Sequence, residues 1–120
     1  MARVLIVEDD RDTREMLGRF LELEGFDVST AANGELALDA LRRHRASVIL
    51  LDLMMPVMDG WQFRQHQVRD PRLADIPVVV VTAAGSRTNL PPIDAHAWLA
   101  KPVDLDRLLQ TITPLCHNES

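Results

Sequence analysis

The stretch from Val48 to Gly60 constrains the fold of this chain more than any other part of its sequence. It begins with four consecutive apolar residues, Val48–Leu51, and an apolar run without polar alternation is typical of a strand buried on both faces. Asp52 ends the run. Because a carboxylate inside such a strand would be strongly unfavourable, we expect Asp52 at the carboxyl end of the strand, facing a crevice. Pro56 disfavours a helical conformation at the preceding residue, so the next helix is predicted to begin only at Asp59, which can cap it.

Strand-like and helix-like segments alternate along the rest of the chain. The other predicted strands are Val4–Val7, Phe26–Thr30, Ile76–Val81 and His96–Ala100, of which Phe26–Thr30 has the alternation of an edge strand. The predicted helices are capped by Asp12 or Thr13, Asn33, Asp59 and Asp104; Gly25 closes the first, Val68 ends the third, and the last frays before Pro114. This alternation predicts an α/β fold with a parallel sheet, helices on both faces and right-handed crossovers.

Apolar residues recur at helical spacing in the predicted helices, so each helix should pack one face on the sheet. These faces comprise Met16, Leu17, Phe20, Leu21 and Leu23, then Leu36, Ala37, Ala40 and Leu41, and finally Leu105, Leu108, Leu109 and Ile112. The segment Ala83–Pro92 contains one glycine and two consecutive prolines. A helix there is predicted to be short or irregular, with about one or two turns.

Polar residues follow four of the predicted strands. They are Glu8–Asp10, Asp52, Thr82 and Lys101. Since ligands of a parallel α/β sheet bind beyond the carboxyl ends of its strands, these side chains should meet in one crevice. Each of them alone has an ordinary structural explanation, such as a solvated turn or a surface cation, but their coincidence at one edge predicts a shared site.

The acidic residues of this predicted crevice need a counter-ion, because several carboxylates brought together repel one another. Oxygen ligands of this kind suit Mg²⁺ or Mn²⁺. A carboxylate can also be a nucleophile that accepts a phosphoryl group as an aspartyl phosphate. The metal ion and the ammonium group of Lys101 would then neutralise the phosphoryl oxygens, and the hydroxyl of Thr82 would donate a hydrogen bond to one of them.

Length, charge and cysteine content limit the functions that the site can serve. The chain has 120 residues and a net charge of -5, which predicts a single domain over residues 1–120 and argues against direct binding of nucleic acid. No apolar run is long enough for membrane insertion, and the N-terminal run of four apolar residues is too short for a signal peptide. The single cysteine, Cys116, cannot form an internal disulfide, which favours a cytoplasmic location.

A set of short motifs resembles the receiver domain of two-component response regulators, in particular its single-domain, chemotaxis-regulator-like members. These motifs are Glu8–Asp9, the Asp-Leu-Met-Met-Pro-Val-Met-Asp-Gly segment from Asp52, Thr82–Ala83 and Lys101–Pro102. The resemblance covers nearly the whole chain. It implies a flavodoxin-like, doubly wound sheet of five parallel strands in the order 2-1-3-4-5, and a phosphoacceptor rather than an enzyme, one that assists its own phosphorylation and dephosphorylation.

The resemblance also implies roles for the acidic crevice. Asp52 is expected to take a phosphoryl group from a histidine of a sensor kinase or of a histidine phosphotransfer protein. Phosphorylation would then switch the binding of a downstream protein target. Asp9 is expected to bind the metal ion directly, Glu8 mainly through a water molecule, and the backbone carbonyl of Met54 to supply a further ligand.

Three residues of the last two strands receive roles from the same resemblance. Thr82 is expected to be the switch hydroxyl, Lys101 the cation that binds the phosphoryl group, and Trp98 the switch aromatic that rotates inward when Thr82 moves. Packing at a half-buried edge is the alternative explanation of Trp98, since tryptophan is amphipathic.

The chain also departs from the family pattern. The segment between Thr82 and Lys101 is shorter than usual, and Asn89–Pro92 falls where the fourth helix should run. Met54 and Ala84 stand where family members can place groups that orient an attacking water, and neither side chain hydrogen-bonds water strongly. This predicts a comparatively long-lived phosphoryl state.

Three other functions are alternatives to a phosphoacceptor switch. A phosphatase or phosphotransferase of the haloacid dehalogenase type needs a second aspartate two residues after the nucleophile, where this chain has Met54. A flavodoxin-type flavin module needs a phosphate-binding loop after the first strand, where Glu8–Asp10 would repel phosphate. A receiver-like interaction module that is independent of phosphorylation stays open because of the unusual segment around Asn89–Pro92.

Overall fold

The computed structural model describes residues 2–83 and 93–117, which form a parallel sheet between two layers of helices. The strands are β1 (Arg3–Val7), β2 (Asp27–Ala31), β3 (Val48–Asp52), β4 (Val78–Ala83) and β5 (Ala97–Lys101). The helices are α1 (Arg11–Leu23), α2 (Gly34–Arg43), α3 (Gly60–Arg69) and α4 (Leu105–His117). The sheet order β2-β1-β3-β4-β5 confirms the predicted flavodoxin-like topology. The irregular helix predicted within Ala83–Pro92 lies, from residue 84 onward, outside the described residues.

The register of the sheet aligns the carboxyl ends of the strands. Val7 at the end of β1 lies opposite Leu51, so Glu8 leaves the sheet beside Asp52. On the other side of β3, Asp52 lies opposite the residue that precedes Thr82 on β4. The last residues of β4 and β5 are paired as well. The register therefore brings the polar residues of four strands to one edge, as the sequence predicts.

The two faces of β3 belong to different parts of the core. Ile49 and Leu51 pack in a cluster with residues of α2 and α3, whereas Val48 and Leu50 pack in a second cluster with residues of α1 and α4. All five residues of β3 are buried. The central strand is thus covered by helices on both sides, and its only carboxylate, that of Asp52, lies at its end.

The caps of the helices agree with the sequence except at α1. Asp10, not Asp12 or Thr13, is the N-cap of this helix, because its side chain accepts a hydrogen bond from the N–H of Thr13 at 2.9 Å. Asp59 caps α3 as predicted, in a reciprocal capping box with Gln62. The cap at Asp10 starts α1 directly after the acidic pair, so that the turn between β1 and the helix is tight.

The packing faces of α1 and α2 differ from the predicted apolar stripes. Three residues of the predicted packing faces are exposed to solvent, so the prediction was wrong for Met16, Leu23 and Leu36. The buried residues are Leu17, Gly18 and Leu21 in α1, and Gly34, Ala37, Leu38 and Leu41 in α2. A sheet contacts only one side of each helix. Gly18 lies on that side of α1, near Val28 and Ile6 of the sheet, whereas Gly34 lies against Met58 in the loop after β3.

The last helix continues beyond the point where the sequence predicts fraying. Helix α4 runs through Pro114 to His117. Ile112 and Cys116 on either side of the proline are buried in the core, and this packing stabilises a helix turn from which proline removes one hydrogen bond. Cys116 is therefore a core residue rather than part of a frayed tail. Among the described helices, none combines the length and the apolar character needed to cross a membrane.

Candidate functional site

The polar residues at the carboxyl edge of the sheet form one crevice. Glu8, Asp52 and Thr82 are buried there, with exposed fractions of 3%, 6% and 5%. Asp9 is exposed at the mouth of the crevice and Lys101 is half-buried. The structure brings five of the six residues that the sequence predicts to meet to the same edge, whereas the side chain of the sixth, Asp10, caps α1.

Lys101 bridges the two buried carboxylates. Its Nζ lies 2.7 Å from Oε1 of Glu8 and 3.6 Å from Oδ2 of Asp52. Two negative charges in a buried crevice are costly without a counter-charge. The single ammonium group of Lys101 supplies part of that compensation and leaves the crevice with a net negative charge.

The remaining negative charge suits a divalent cation. Carboxylate oxygens of Glu8, Asp9 and Asp52 all lie within 4.8 Å of one another. A donor set made only of oxygens fits a hard ion such as Mg²⁺, which retains several of its waters and takes few protein ligands. These three residues would hold the ion. The carbonyl of Met54 as a further ligand stays a prediction.

The proximity of the two buried carboxylates shifts the pKa values of both Asp52 and Glu8. Burial, together with the hydrogen bond to Glu8 and the negative charge of Glu8, raises the pKa of Asp52 to about 7. For Glu8, burial acts to raise the pKa, but hydrogen bonds with Asp52, Lys101 and the backbone of Asp10 outweigh it and lower the pKa. Asp52 therefore stays protonated up to a higher pH than an ordinary aspartate does.

The loop after Asp52 has a backbone conformation that the sequence did not reveal. Val57 has a φ of 70°, and the N–H of Met58 donates to the carbonyl of Pro56 at 2.7 Å, which closes a γ-turn. The N–H of Gly34 donates to the carbonyl of Met58 at 3.0 Å. The first turn of α2 therefore holds the loop that leads away from Asp52.

The loop between β1 and α1 is fixed by a second set of hydrogen bonds. The N–H of Asp10 donates to Oε2 of Glu8 at 3.2 Å, and Nη1 of Arg14 donates to the carbonyl of Glu8 at 2.8 Å. Sequence reasoning missed Arg14. The available signal was its spacing, because Arg14 precedes the buried Leu17 and Gly18 by three and four residues and so lies on the face of α1 that packs on the sheet.

Thr82 and Trp98 lie on the same face of the sheet. Thr82 on β4 is opposite Ala100 of β5, and Trp98 is opposite Val80. The two residues therefore lie on neighbouring strands and are offset by two residues along the strand direction. Trp98 is half-buried and packs against the cluster on the side of α2 and α3. The switch roles of Thr82 and Trp98 stay predictions.

A family model and similar proteins of known sequence match this chain to response regulators. The model of the response regulator receiver domain matches residues 4–113. The chain is 35% identical to protein PilH of Pseudomonas aeruginosa over 115 residues, which cover 93% of this chain and 95% of PilH. It is 39% identical to the response regulator Rre1 of Synechocystis over 109 residues, 88% of this chain. The match covers only 47% of Rre1, so the chain spans about half the length of that relative.

Solved structures agree with this result. The chemotaxis response regulator CheY4 of Vibrio cholerae superposes with a TM-score of 0.86 at 32% identity, covering 96% of this chain and 98% of CheY4. The response regulator TrrA of Thermotoga maritima, solved in complex with Mg²⁺ and BeF, superposes with a TM-score of 0.83 at 28% identity, covering 96% of this chain and 99% of TrrA. The sheet order, the acidic crevice and these matches lead to one conclusion: the chain belongs to the family of response regulator receiver domains.

Proposed function

We propose that Asp52 accepts a phosphoryl group from a phosphohistidine of a sensor kinase or of a histidine phosphotransfer protein, and that this changes the affinity of the chain for a downstream protein. One observation carries the proposal. Asp52 is a buried carboxylate at the end of the central strand, with Lys101, Glu8 and Asp9 around it in a single crevice. The family membership supports the same role.

The phosphoryl transfer needs little from the protein besides position and charge. A carboxylate oxygen of Asp52 attacks the phosphorus atom while the phosphorus–nitrogen bond of phosphohistidine breaks, and the electron pair of that bond stays on the imidazole nitrogen. Lys101 binds a phosphoryl oxygen. To do so, its ammonium group must move partly away from Glu8, with which it forms an ion pair in this structure. Thr82 donates a hydrogen bond to another phosphoryl oxygen. When bound, Mg²⁺ or Mn²⁺ supplies charge neutralisation for the carboxylates and the phosphoryl group.

These roles make the chain a phosphoacceptor with no turnover of an external substrate. The same residues assist both the gain and the loss of the phosphoryl group, and the partner histidine supplies the leaving group. A kinase partner of this kind fits a cytoplasmic location. Met54 is 64% exposed beside the crevice, and its thioether accepts hydrogen bonds from water only weakly. We therefore expect a long-lived phosphoryl state, which rapid dephosphorylation of the isolated chain would contradict.

Acetyl phosphate tests the proposal without the kinase. Incubation with acetyl phosphate and Mg²⁺, followed by intact-mass measurement, should show the addition of one phosphoryl group. The addition should disappear in Asp52→Asn and when a chelator removes the metal ion. Fluoroberyllate, which mimics a phosphoryl group on aspartate, provides a second probe. Failure of both reagents would reject the phosphoacceptor role and favour an interaction module that is independent of phosphorylation.

A further inference from the structure

We propose that Arg14 is a positioning residue of the metal site, which it serves by fixing the backbone on both sides of Asp9. The inference rests on the proposed function, because it assumes that Asp9 binds Mg²⁺. Nη1 of Arg14 donates to the carbonyl of Glu8 at 2.8 Å and lies 3.4 Å from the carbonyl of Asp9. The second contact is longer than a typical hydrogen bond and is the weaker of the two.

These two carbonyls determine the orientation of Asp9. The carbonyl of Glu8 belongs to the peptide group that precedes the Cα of Asp9, and the carbonyl of Asp9 belongs to the peptide group that follows it. Each peptide group is planar, so a guanidinium that holds both carbonyls restricts φ and ψ of Asp9. The direction of its Cα–Cβ bond, and with it the position of the carboxylate relative to Glu8 and Asp52, is then fixed.

One other contact of the loop also acts on the backbone at Asp9: the N–H of Asp10, which belongs to the peptide group after Asp9, donates to Oε2 of Glu8 at 3.2 Å. The side chain of Glu8 is held by Lys101 and by the N–H of Asp10, and the side chain of Asp10 is held by Thr13. Asp9 itself is exposed, so packing does not fix it. Within the described part of the chain, Arg14 is the side chain that holds the carbonyl before Asp9. It thereby completes the restraint on the residue expected to contact the metal ion directly.

The place of Arg14 on α1 supports this role. Arg14 lies on the buried face of the helix, one turn before Leu17 and Gly18, which pack on the sheet. The guanidinium is thus directed toward the carboxyl edge of the sheet, where β1 ends. An arginine that served only solubility would have an exposed side chain, as Arg11 has in its ion pair with Glu15.

Positioning and simple electrostatics predict opposite effects when Arg14 is replaced. A positive charge near a cation site weakens metal binding, so removal of the charge alone would increase the affinity for Mg²⁺. Loss of positioning would decrease it, since groups that orient metal ligands typically contribute about 10- to 100-fold to affinity. The sign of the change therefore distinguishes the two explanations.

The test is the affinity for Mg²⁺ alone, measured by calorimetry at a temperature at which thermal unfolding curves show each variant to be folded. Arg14→Gln should bind Mg²⁺ about tenfold more weakly than the unmodified chain. Arg11→Gln is the matched control, because it removes the same charge from the same helix without touching the loop, and its affinity should be unchanged or slightly higher. Glutamine and arginine have similar helix propensities, so α1 should persist in both variants.

The outcomes separate the inference from the function on which it rests. Equal or tighter binding by Arg14→Gln, with normal binding by the unmodified chain, would overturn the positioning role. Failure of the unmodified chain to bind Mg²⁺ would instead reject the metal site itself. If Arg14→Gln does not fold, Arg14→Lys takes its place: it keeps the charge but holds the two carbonyls less firmly, so weaker binding supports positioning and unchanged affinity contradicts it.

Discussion

The ammonium nitrogen of Lys101 lies 2.7 Å from Oε1 of Glu8, which joins the last residue of β5 to the residue that follows β1. The ion pair spans the sheet across the ends of β3 and β4, and one of its members is almost completely buried. Lys101 is the only lysine in the chain. In the described part of the chain, Lys101 is the cation that forms ion pairs with both buried carboxylates of the crevice.

Replacement of Lys101 should destabilise the protein. Lys101→Gln leaves the carboxylate of Glu8 buried without its cation, and we expect the free energy of unfolding to fall by about 2 kcal/mol, less than for a fully buried pair because Lys101 is partly exposed. Urea denaturation at neutral pH measures the change. Arg11→Gln, which breaks the exposed pair with Glu15, should cost less than about 0.5 kcal/mol. Equal losses in the free energy of unfolding for the two substitutions would show that the buried ion pair stabilises the protein no more than the exposed one does.

Replacement of Asp52 should have the opposite effect in the absence of metal. The pKa of Asp52 is raised from its ordinary value of 3.8 to about 7, so between these values the folded state binds more protons than the unfolded state. The contribution of Asp52 to stability therefore falls as pH rises from about 4 to about 7. Asp52→Asn removes this loss and should be more stable by about 1 to 2 kcal/mol at pH 8.

The pH dependence is the control for the Asp52→Asn comparison. Urea denaturation in the presence of a chelator, repeated from pH 4 to pH 8, should show a stability difference that grows with pH and vanishes at the acidic end. A difference that is constant over this range would attribute the effect to packing rather than to the charge of Asp52.

Mg²⁺ should stabilise the folded protein through Asp9. A ligand that binds only the folded state at about 100 times its dissociation constant adds about 2.7 kcal/mol. Asp9→Asn should abolish most of this gain while leaving the metal-free stability nearly unchanged, because Asp9 is exposed. Thermal unfolding with and without Mg²⁺ provides the measurement. Asp12→Asn in the first turn of α1 should retain the full gain, and loss of the gain there would point to nonspecific charge effects.

Gly34 should tolerate no side chain. A Cβ at this position would lie 2.7 Å from Cγ of Met58 and 2.9 Å from its carbonyl oxygen, so Gly34→Ala must displace the loop after Asp52. We expect a loss of about 1 to 3 kcal/mol in the free energy of unfolding, with slower phosphorylation by acetyl phosphate. At Gly18 the nearest atom would be Cγ1 of Val28 at 3.5 Å. Gly18→Ala should therefore be neutral or stabilising, and a larger loss at Gly18 than at Gly34 would refute the argument.

The backbone at Val57 should be strained. Val57 has a φ of 70° and its side chain is 74% exposed, so a β-branched residue occupies a left-handed conformation without gaining buried area. Asparagine adopts this conformation more readily, and Val57→Asn should raise the free energy of unfolding by about 0.5 to 1 kcal/mol, measured in urea. Val68→Asn, which changes a partly exposed valine within α3, should not stabilise. A gain at both positions would indicate an effect of polarity rather than of backbone strain.

Much of the fold and the candidate site could be predicted from the sequence because the signals are local. Four consecutive apolar residues before Asp52 predict a buried strand, and the alternation of strands and helices predicts a parallel sheet. A parallel sheet collects the residues that follow its strands at one edge, so Glu8, Asp52, Thr82 and Lys101 could be assigned to one crevice from their places in the chain.

The errors of the prediction arise where distant segments decide the outcome. Leu36 is apolar but lies on the side of α2 that the sheet does not reach. Pro114 disfavours a helix, yet burial of Cys116 extends α4 past it.

The sequence by itself determined three things: the presence of the five strands, the polar residues at the carboxyl ends of four of them, and the family. Only the tertiary structure decided the ion pair of Lys101 with Glu8, the raised pKa of Asp52, the contact of Gly34 with Met58 and the hydrogen bonds of Arg14 to the acidic loop. The physical reason is that proton affinities, hydrogen bonds and close contacts depend on distances of a few ångströms between segments that are separate in the chain. Patterns of residue type do not contain these distances.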